Sequence, residues 1–232
     1  MRHTIIFLVL LATALQDAHA QSFIFGVKGG LTMGIQQWNG FTRDPLFRYH
    51  GDAFIESWQE ENRYALFASL GYHVRGGTIR TRPSYDAINM IEYDGGVTNM
   101  EFNNIVLSLG GKQKFPIGID SRIYYSVQIR AEYTAGVDFE GYMASYEGAE
   151  NKFVFGVGVG GGFEIPFSRY TGIFFEASVQ PDFTKQIFIP FQETGFNDNN
   201  GNAIVLNEQN VTNLSIEFTV GFRFLREVIY VD

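Results

Sequence analysis

Between residues 23 and 224 apolar and polar side chains alternate with a period of two, in eight separate stretches. The last stretch is the cleanest. Leu214, Ile216, Phe218, Val220, Phe222 and Phe224 take one parity, and Ser215, Glu217, Thr219, Gly221 and Arg223 take the other. A strand sends successive side chains to opposite faces, so such a stretch becomes a strand with one apolar and one polar wall. From 122 to 138, Ile123, Tyr125, Val127, Ile129, Ala131, Tyr133 and Val137 alternate with Arg122, Ser126, Gln128, Arg130, Glu132, Thr134 and Asp138. A helix would break that apolar stripe. The pattern predicts strands near 23–36, 47–57, 63–81, 99–115, 122–138, 153–165, 172–186 and 210–224. In the third, Val74 joins Tyr64, Leu66, Ala68, Leu70 and Tyr72 on the apolar face. In the sixth, Gly156, Gly158, Gly160 and Gly162 lie on the polar face, where they make room for bulky neighbours or let the strand curve.

The connections alternate as well. Strands two and three, four and five, and six and seven are joined by about five or six residues, and the other four links run to roughly 9, 17, 13 and 24 residues. Short turns at one end and long loops at the other are the layout of an up-and-down barrel in the bacterial outer membrane, with the short turns periplasmic. The fold class expected is all-β, an eight-stranded antiparallel up-and-down transmembrane β-barrel.

A soluble barrel of the same strands would hide its apolar faces, whereas a membrane barrel turns them outward. The polar faces carry Lys28, Arg48, Arg75, Lys112, Lys114, Arg130 and Arg223 against Asp52, Glu56, Glu132, Asp138, Glu164, Glu176, Asp182 and Glu217. The two signs nearly balance, as charges facing one another across a narrow lumen must. On the apolar faces Phe23, Phe25, Tyr64, Phe115, Tyr125, Phe163, Phe175, Phe222 and Phe224 fall near the short-turn end. Phe47, Tyr49, Phe102, Phe153, Phe155 and Phe183 fall toward the other rim. Aromatic girdles at two interfaces favour the membrane reading. Eight strands enclose only enough space for side chains, so the lumen is expected to be filled by polar and charged groups rather than open.

The start of the chain agrees with export. Met1-Arg2-His3 is a short basic segment, Ile5 to Ala12 is apolar, and Ala18-His19-Ala20 is a small-x-small cleavage site. Residues 1–20 therefore read as a signal peptide cleaved after Ala20, and 21–232 as the barrel domain. The chain contains no cysteine, which excludes disulfide staples, thiolate metal sites and a cysteine nucleophile. With 26 glycines, 23 phenylalanines and 12 tyrosines the composition suits strands. A formal charge of −8 without a basic run argues against nucleic acid as a partner.

Candidate chemistry is sparse. His50 and His73 fall on polar faces, His50 beside Asp52 and His73 with Ser69 four residues away, roughly 13 Å along a strand and too far for direct activation. Asp198-Asn199-Asn200-Gly201 has the composition of a calcium loop but not its spacing, since Phe196 stands at the first ligand position, and it reads as a turn at a loop tip. No phosphate-binding glycine loop opens a helix. Catalytic, cofactor and metal residues are therefore not assigned.

The opening Phe25-Gly26-Val27-Lys28-Gly29-Gly30-Leu31-Thr32 resembles the first strand of the outer-membrane β-barrel domain common in Bacteroidota, the PorT-like family. The segment from Phe218 to Phe224 is similar to the aromatic-rich last strand that the barrel-assembly machinery reads, although Leu225 to Asp232 follow it. The resemblance implies an integral outer-membrane barrel, with Phe218, Phe222 and Phe224 as the assembly signal and one branch of the family serving type IX secretion. It implies no catalytic residues. The expected function is a non-enzymatic barrel, structural or accessory to a secretion or transport assembly through its loops or periplasmic rim. A lipid A-modifying enzyme and a narrow channel are the alternatives. Expected partners are outer-membrane lipid, the assembly machinery, and other outer-membrane or periplasmic proteins.

Overall fold

The computed structural model describes residues 22–228, apart from 40–41, 60–61, 81–82, 87–90, 94, 119–120, 141–143, 145–146, 198–202 and 207. Residues 1–20, read above as a signal peptide, and residues 198–201, read above as a turn, lie outside the described residues. Eight long strands form one sheet: β1 (Ser22–Gln36), β2 (Leu46–Trp58), β3 (Tyr64–Arg80), β4 (Val97–Ile117), β5 (Ser121–Phe139), β6 (Phe153–Pro166), β7 (Thr171–Pro181) and β8 (Asn213–Arg226). Each pairs antiparallel with the next in sequence, β7 reaching β8 across the longest loop region, and β8 pairs with β1 from Phe23↔Arg226 to Gln36↔Asn213. No edge is left. The sheet is a closed eight-stranded up-and-down barrel.

The short turns gather at one end. Gly118, with φ of 67°, takes the left-handed conformation in the turn between β4 and β5, and the Phe167 and Ser168 amides both donate to the Thr171 carbonyl in the next. At the opposite end the strands outrun a membrane. A strand of 21 residues such as β4 runs ~70 Å, which at a tilt of about 35–45° is a height of about 50–57 Å, against an apolar band of ~25 Å in such barrels. The ring therefore continues past the lipid as a turret, to which the long loops add further strands. Thr42–Asp44 pairs with the outer end of β3, and 187–189 pairs with 209–211.

Four sequence expectations change here. β7 ends at Pro181 rather than near 186, and β8 begins at Asn213, because 187–189 and 209–211 pair with each other as a separate two-stranded sheet. Ala135 is skipped where the β4 register steps from Asn103↔Gly136 to Asn104↔Thr134. That bulge reverses the parity beyond it, so Asp138 is exposed and Phe139 is buried, opposite to strict alternation. Phe102 is not a rim aromatic: it points inward, wholly buried, and packs edge-on against Phe139 at 5.2 Å. Val74 does not face lipid either, being only 2% exposed. There β2 has parted from β3, whose pairing stops at His50↔His73, and Leu46 lies over Gly76.

Candidate functional site

The interior is built in layers, and the order of side chains along each strand sets them. Nearest the short turns the inward positions are apolar: Ile24, Phe54, Tyr124, Phe174 and Leu225 form one buried cluster, with Trp58 packed against it. The Phe54 and Phe174 rings meet edge-on at 5.5 Å. Lys112 Nζ sits among aromatic faces, 4.7 Å from the Tyr124 centroid, 5.2 Å from Phe67, 5.3 Å from Phe174 and 5.7 Å from Phe54. An ammonium so enclosed gains cation–π attraction from each ring. Its charge is answered by Glu56 at 3.0 Å, and Glu56 also pairs with Lys114, which reaches Glu164 at 2.8 Å. Lys28 and Glu176 face each other at 3.6 Å beside them.

The middle layer centres on Arg75. Its Nη1 donates to Glu132 at 2.6 Å, and its Nη2 donates to Glu217 at 2.9 Å and to Gln180 at 2.6 Å. Arg130 pairs with both Glu132 and Asp182 and donates to Gln180 at 2.7 Å. His73 lies between two carboxylates, Nε2 facing Asp52 at 3.1 Å and Nδ1 facing Glu217 at 3.0 Å. His50 stacks on it at 5.1 Å, its own nitrogens 2.9 Å from the Thr32 and Thr219 hydroxyls. A charge in so dry a place is tolerated only when paired and hydrogen-bonded, and each of these has at least one such partner, although Asp52 Oδ2, Arg75 Nε, Arg130 Nε and Asp182 Oδ2 make no hydrogen bond among the described residues.

Room for these large side chains comes from β6. A Cβ on Gly158 would stand 2.6 Å from the Gln128 amide nitrogen, and one on Gly156 would stand 2.7 Å from Arg130 Nη2. The glycine row is a floor on which the side chains of β5 lie flat.

Above the charges comes a neutral polar tier, in which Gln186 donates to Thr134 at 3.0 Å and accepts from Asn213 at 3.0 Å. A second apolar cluster then closes the turret: Trp38, Ile79, Met100, Phe102, Phe139, Ile187 and Val211, all buried. The lumen is thus a charged layer between two apolar plugs.

The outer wall is the reverse. Leu31, Leu66, Leu70, Leu107, Ile129, Val127, Val159 and Phe218 are each about half exposed or more, alongside one another on the barrel's outside. Toward the short turns Phe25 contacts Phe224 at 5.7 Å and Phe115 contacts Tyr125 at 6.0 Å; toward the turret Tyr133 contacts Phe153 at 5.4 Å. Soluble monomers rarely leave so large an apolar belt to water, and one that encircles a barrel marks a membrane-facing surface. The chain is an inside-out β-barrel.

No protein-family model matches the sequence, and no curated protein matches it. The fold is similar to those of solved outer-membrane proteins, among them the following three. One is Neisserial surface protein A, at 10% identity over 86% of this chain and 96% of that one, with a TM-score of 0.42. Another is a major outer membrane protein from Thermus thermophilus, at 12% identity over 90% and 100%, with a TM-score of 0.45. The third is the outer membrane protease OmpT from Escherichia coli, at 8% identity over 88% and 97%, with a TM-score of 0.45.

Every charge that alternation put on the polar faces from Lys28 to Arg130, and Glu132, Glu164, Glu176, Glu217 and Arg223, points inward, except Asp138. Arg48 and its partner Glu101 are higher and partly open. Phe218, Phe222 and Phe224 lie on the outer wall. Ser69 and His73 share the inner face, but His73 is engaged by Asp52, Glu217 and Arg75, not by the serine. The inward aromatics Phe54, Phe67, Tyr124 and Phe174 and the carboxamides Gln180 and Gln186 escaped sequence reasoning. The first three fall in phase with Glu56, Ser69 and Arg130, and Phe174 with Glu176, so parity alone could have found them.

Proposed function

We propose that this chain is an integral outer-membrane barrel that neither conducts nor catalyses, and that acts through its two rims as a structural element or as an accessory of a larger assembly. The carrying observation is the sealed interior, an ion-paired layer stopped at both ends by apolar clusters. An ion crossing it would have to part Arg75 from Glu132 and Glu217 and then pass between packed aromatic rings. The outer wall supports residence in lipid, and the short turns are periplasmic in this reading. A role in type IX secretion and membership of the PorT-like family rest on the opening-strand resemblance.

Two measurements test the proposal. Reconstituted in planar bilayers the protein is expected to give no unitary currents at 1 M salt, while migrating in heat-modifiable form on gels. Steady single-channel steps would overturn the closed reading. Crosslinking on intact cells followed by mass spectrometry addresses the accessory role, where recovery of the barrel alone speaks for a purely structural one.

A further inference from the structure

The mouth at the short-turn end contains an arginine pocket that a merely sealed barrel does not need. A cavity of about 540 Å³ opens there between the β4–β5 turn, the β6–β7 turn and the end of β8. Its walls include Trp58, Arg122, Arg169, Arg223, Leu225 and Glu227. Three arginines and one carboxylate thus line the cavity, on a chain whose formal net charge is −8.

The three are not equivalent. Arg169 is matched, its Nε and Nη2 donating to Glu227 at 3.0 and 2.7 Å. Arg122 sits opposite Glu164 in the β5–β6 ladder, yet its guanidinium turns away to stack on Trp58, 4.6 Å from the ring centre. No carboxylate pairs with it among the described residues. Arg223 is 7% exposed, and its Nε has no hydrogen-bond partner among the described residues. Glu164 Oε2 stands 3.9 Å from that nitrogen, and the other oxygen of Glu164 is already taken by Lys114. Gly172 keeps this space clear, since a Cβ there would lie 2.9 Å from the Arg223 Nε.

Two planar donor forks on one cavity wall, one of them buried and under-coordinated, suit an anion with more than two oxygens. A carboxylate offers two oxygens in one plane, both occupied when a single fork binds it edge-on, whereas the tetrahedral oxygens of a phosphate can meet two forks that lie in different planes. The volume exceeds what a bare phosphate fills, and Trp58 and Leu225 supply an apolar edge for whatever the phosphate is attached to. We propose that this mouth binds a phosphate-bearing ligand, held by Arg122 and Arg223.

The test uses the full chain purified in a maltoside detergent, which carries no phosphate, with pyrophosphate titrated calorimetrically. Arg122→Gln is the informative variant because Arg122 makes no ion pair among the described residues, and heat-modifiable migration checks that it folds. Saturable binding is expected, weakened about tenfold in Arg122→Gln, the effect of losing one charge-assisted donor pair. It should be unchanged in Arg226→Gln, an exposed arginine that packs on Phe23 outside the cavity. Displacement by short-chain phosphatidic acid alone assigns the phosphate to a lipid headgroup. Displacement by glycerol 3-phosphate assigns it to a soluble ester. Either upholds the site. No saturable binding by the wild type, or equal binding by wild type and Arg122→Gln, overturns it.

Discussion

Replacing Arg75 with leucine tests whether the charged layer is dry. The guanidinium is 1% exposed and answers two carboxylates, Glu132 at 2.6 Å and Glu217 at 2.9 Å, besides Gln180. Leucine removes the cation and leaves both acids in place. Glu217 retains His73, and Glu132 retains Arg130 and the Asn104 amide at 2.8 Å, so neither is wholly abandoned. Breaking a buried pair by removing one partner costs about 3–5 kcal/mol, and the shared partners argue for the lower half of that range. Arg75→Leu combined with Glu132→Gln removes the surplus negative charge as well. It should recover about 1 kcal/mol or more, because contacting residues are not additive. Urea unfolding from lipid vesicles, followed by tryptophan fluorescence, measures this. The chain has two tryptophans, Trp38 in the turret plug and Trp58 beside the lower one. Should Arg75→Leu fall within about 0.5 kcal/mol of wild type, the range of an ordinary surface substitution, water reaches the layer and the sealed interior is wrong.

Two further outcomes follow from the walls. Leu107, 47% exposed and flanked in the ladder by Leu70 and Ala131, faces the lipid, so Leu107→Arg should cost about 2–4 kcal/mol in vesicle unfolding if it lies at the bilayer midplane; a neutral result would put that face in water. Gly158→Leu must displace Gln128 from its place over β6 and should destabilise by about 1–3 kcal/mol in the same assay, with Arg130 and Gln180 shifted in an experimental structure. Retained stability there would mean that the glycine row serves strand curvature alone.

The barrel was legible because its parity is nearly unbroken and its faces are chemically opposite. Where the assignment of faces failed, a local event had changed the parity or the surroundings. The Ala135 bulge exchanged the faces of Asp138 and Phe139, and nothing in that composition marks a bulge. At β2 and β3 the strands part above His50↔His73, burying Val74 in a place where alternation promised lipid. The turret plug is a third case of the same kind. Phe102 and Met100 obey parity, but beyond the membrane an inward position favours apolar packing rather than ion pairs, and alternation cannot say where the lipid stops. The histidine pairings were illegible for another reason. His73 meets Glu217 across 144 residues and His50 meets Thr219 across 169, and only closure of the ring brings them together. The arginine mouth likewise joins turns far apart in sequence.

The turret has a consequence for what the outside world meets. Most of the length of β4 and β5 beyond the lipid is laddered backbone, anchored on a packed hydrophobic centre around Trp38. With the short turns periplasmic, as proposed, an antibody or a phage tail arriving from outside would meet these laddered strands before it met the lipid. Epitopes on those packed strands would be conformational, and their recognition would vanish on boiling.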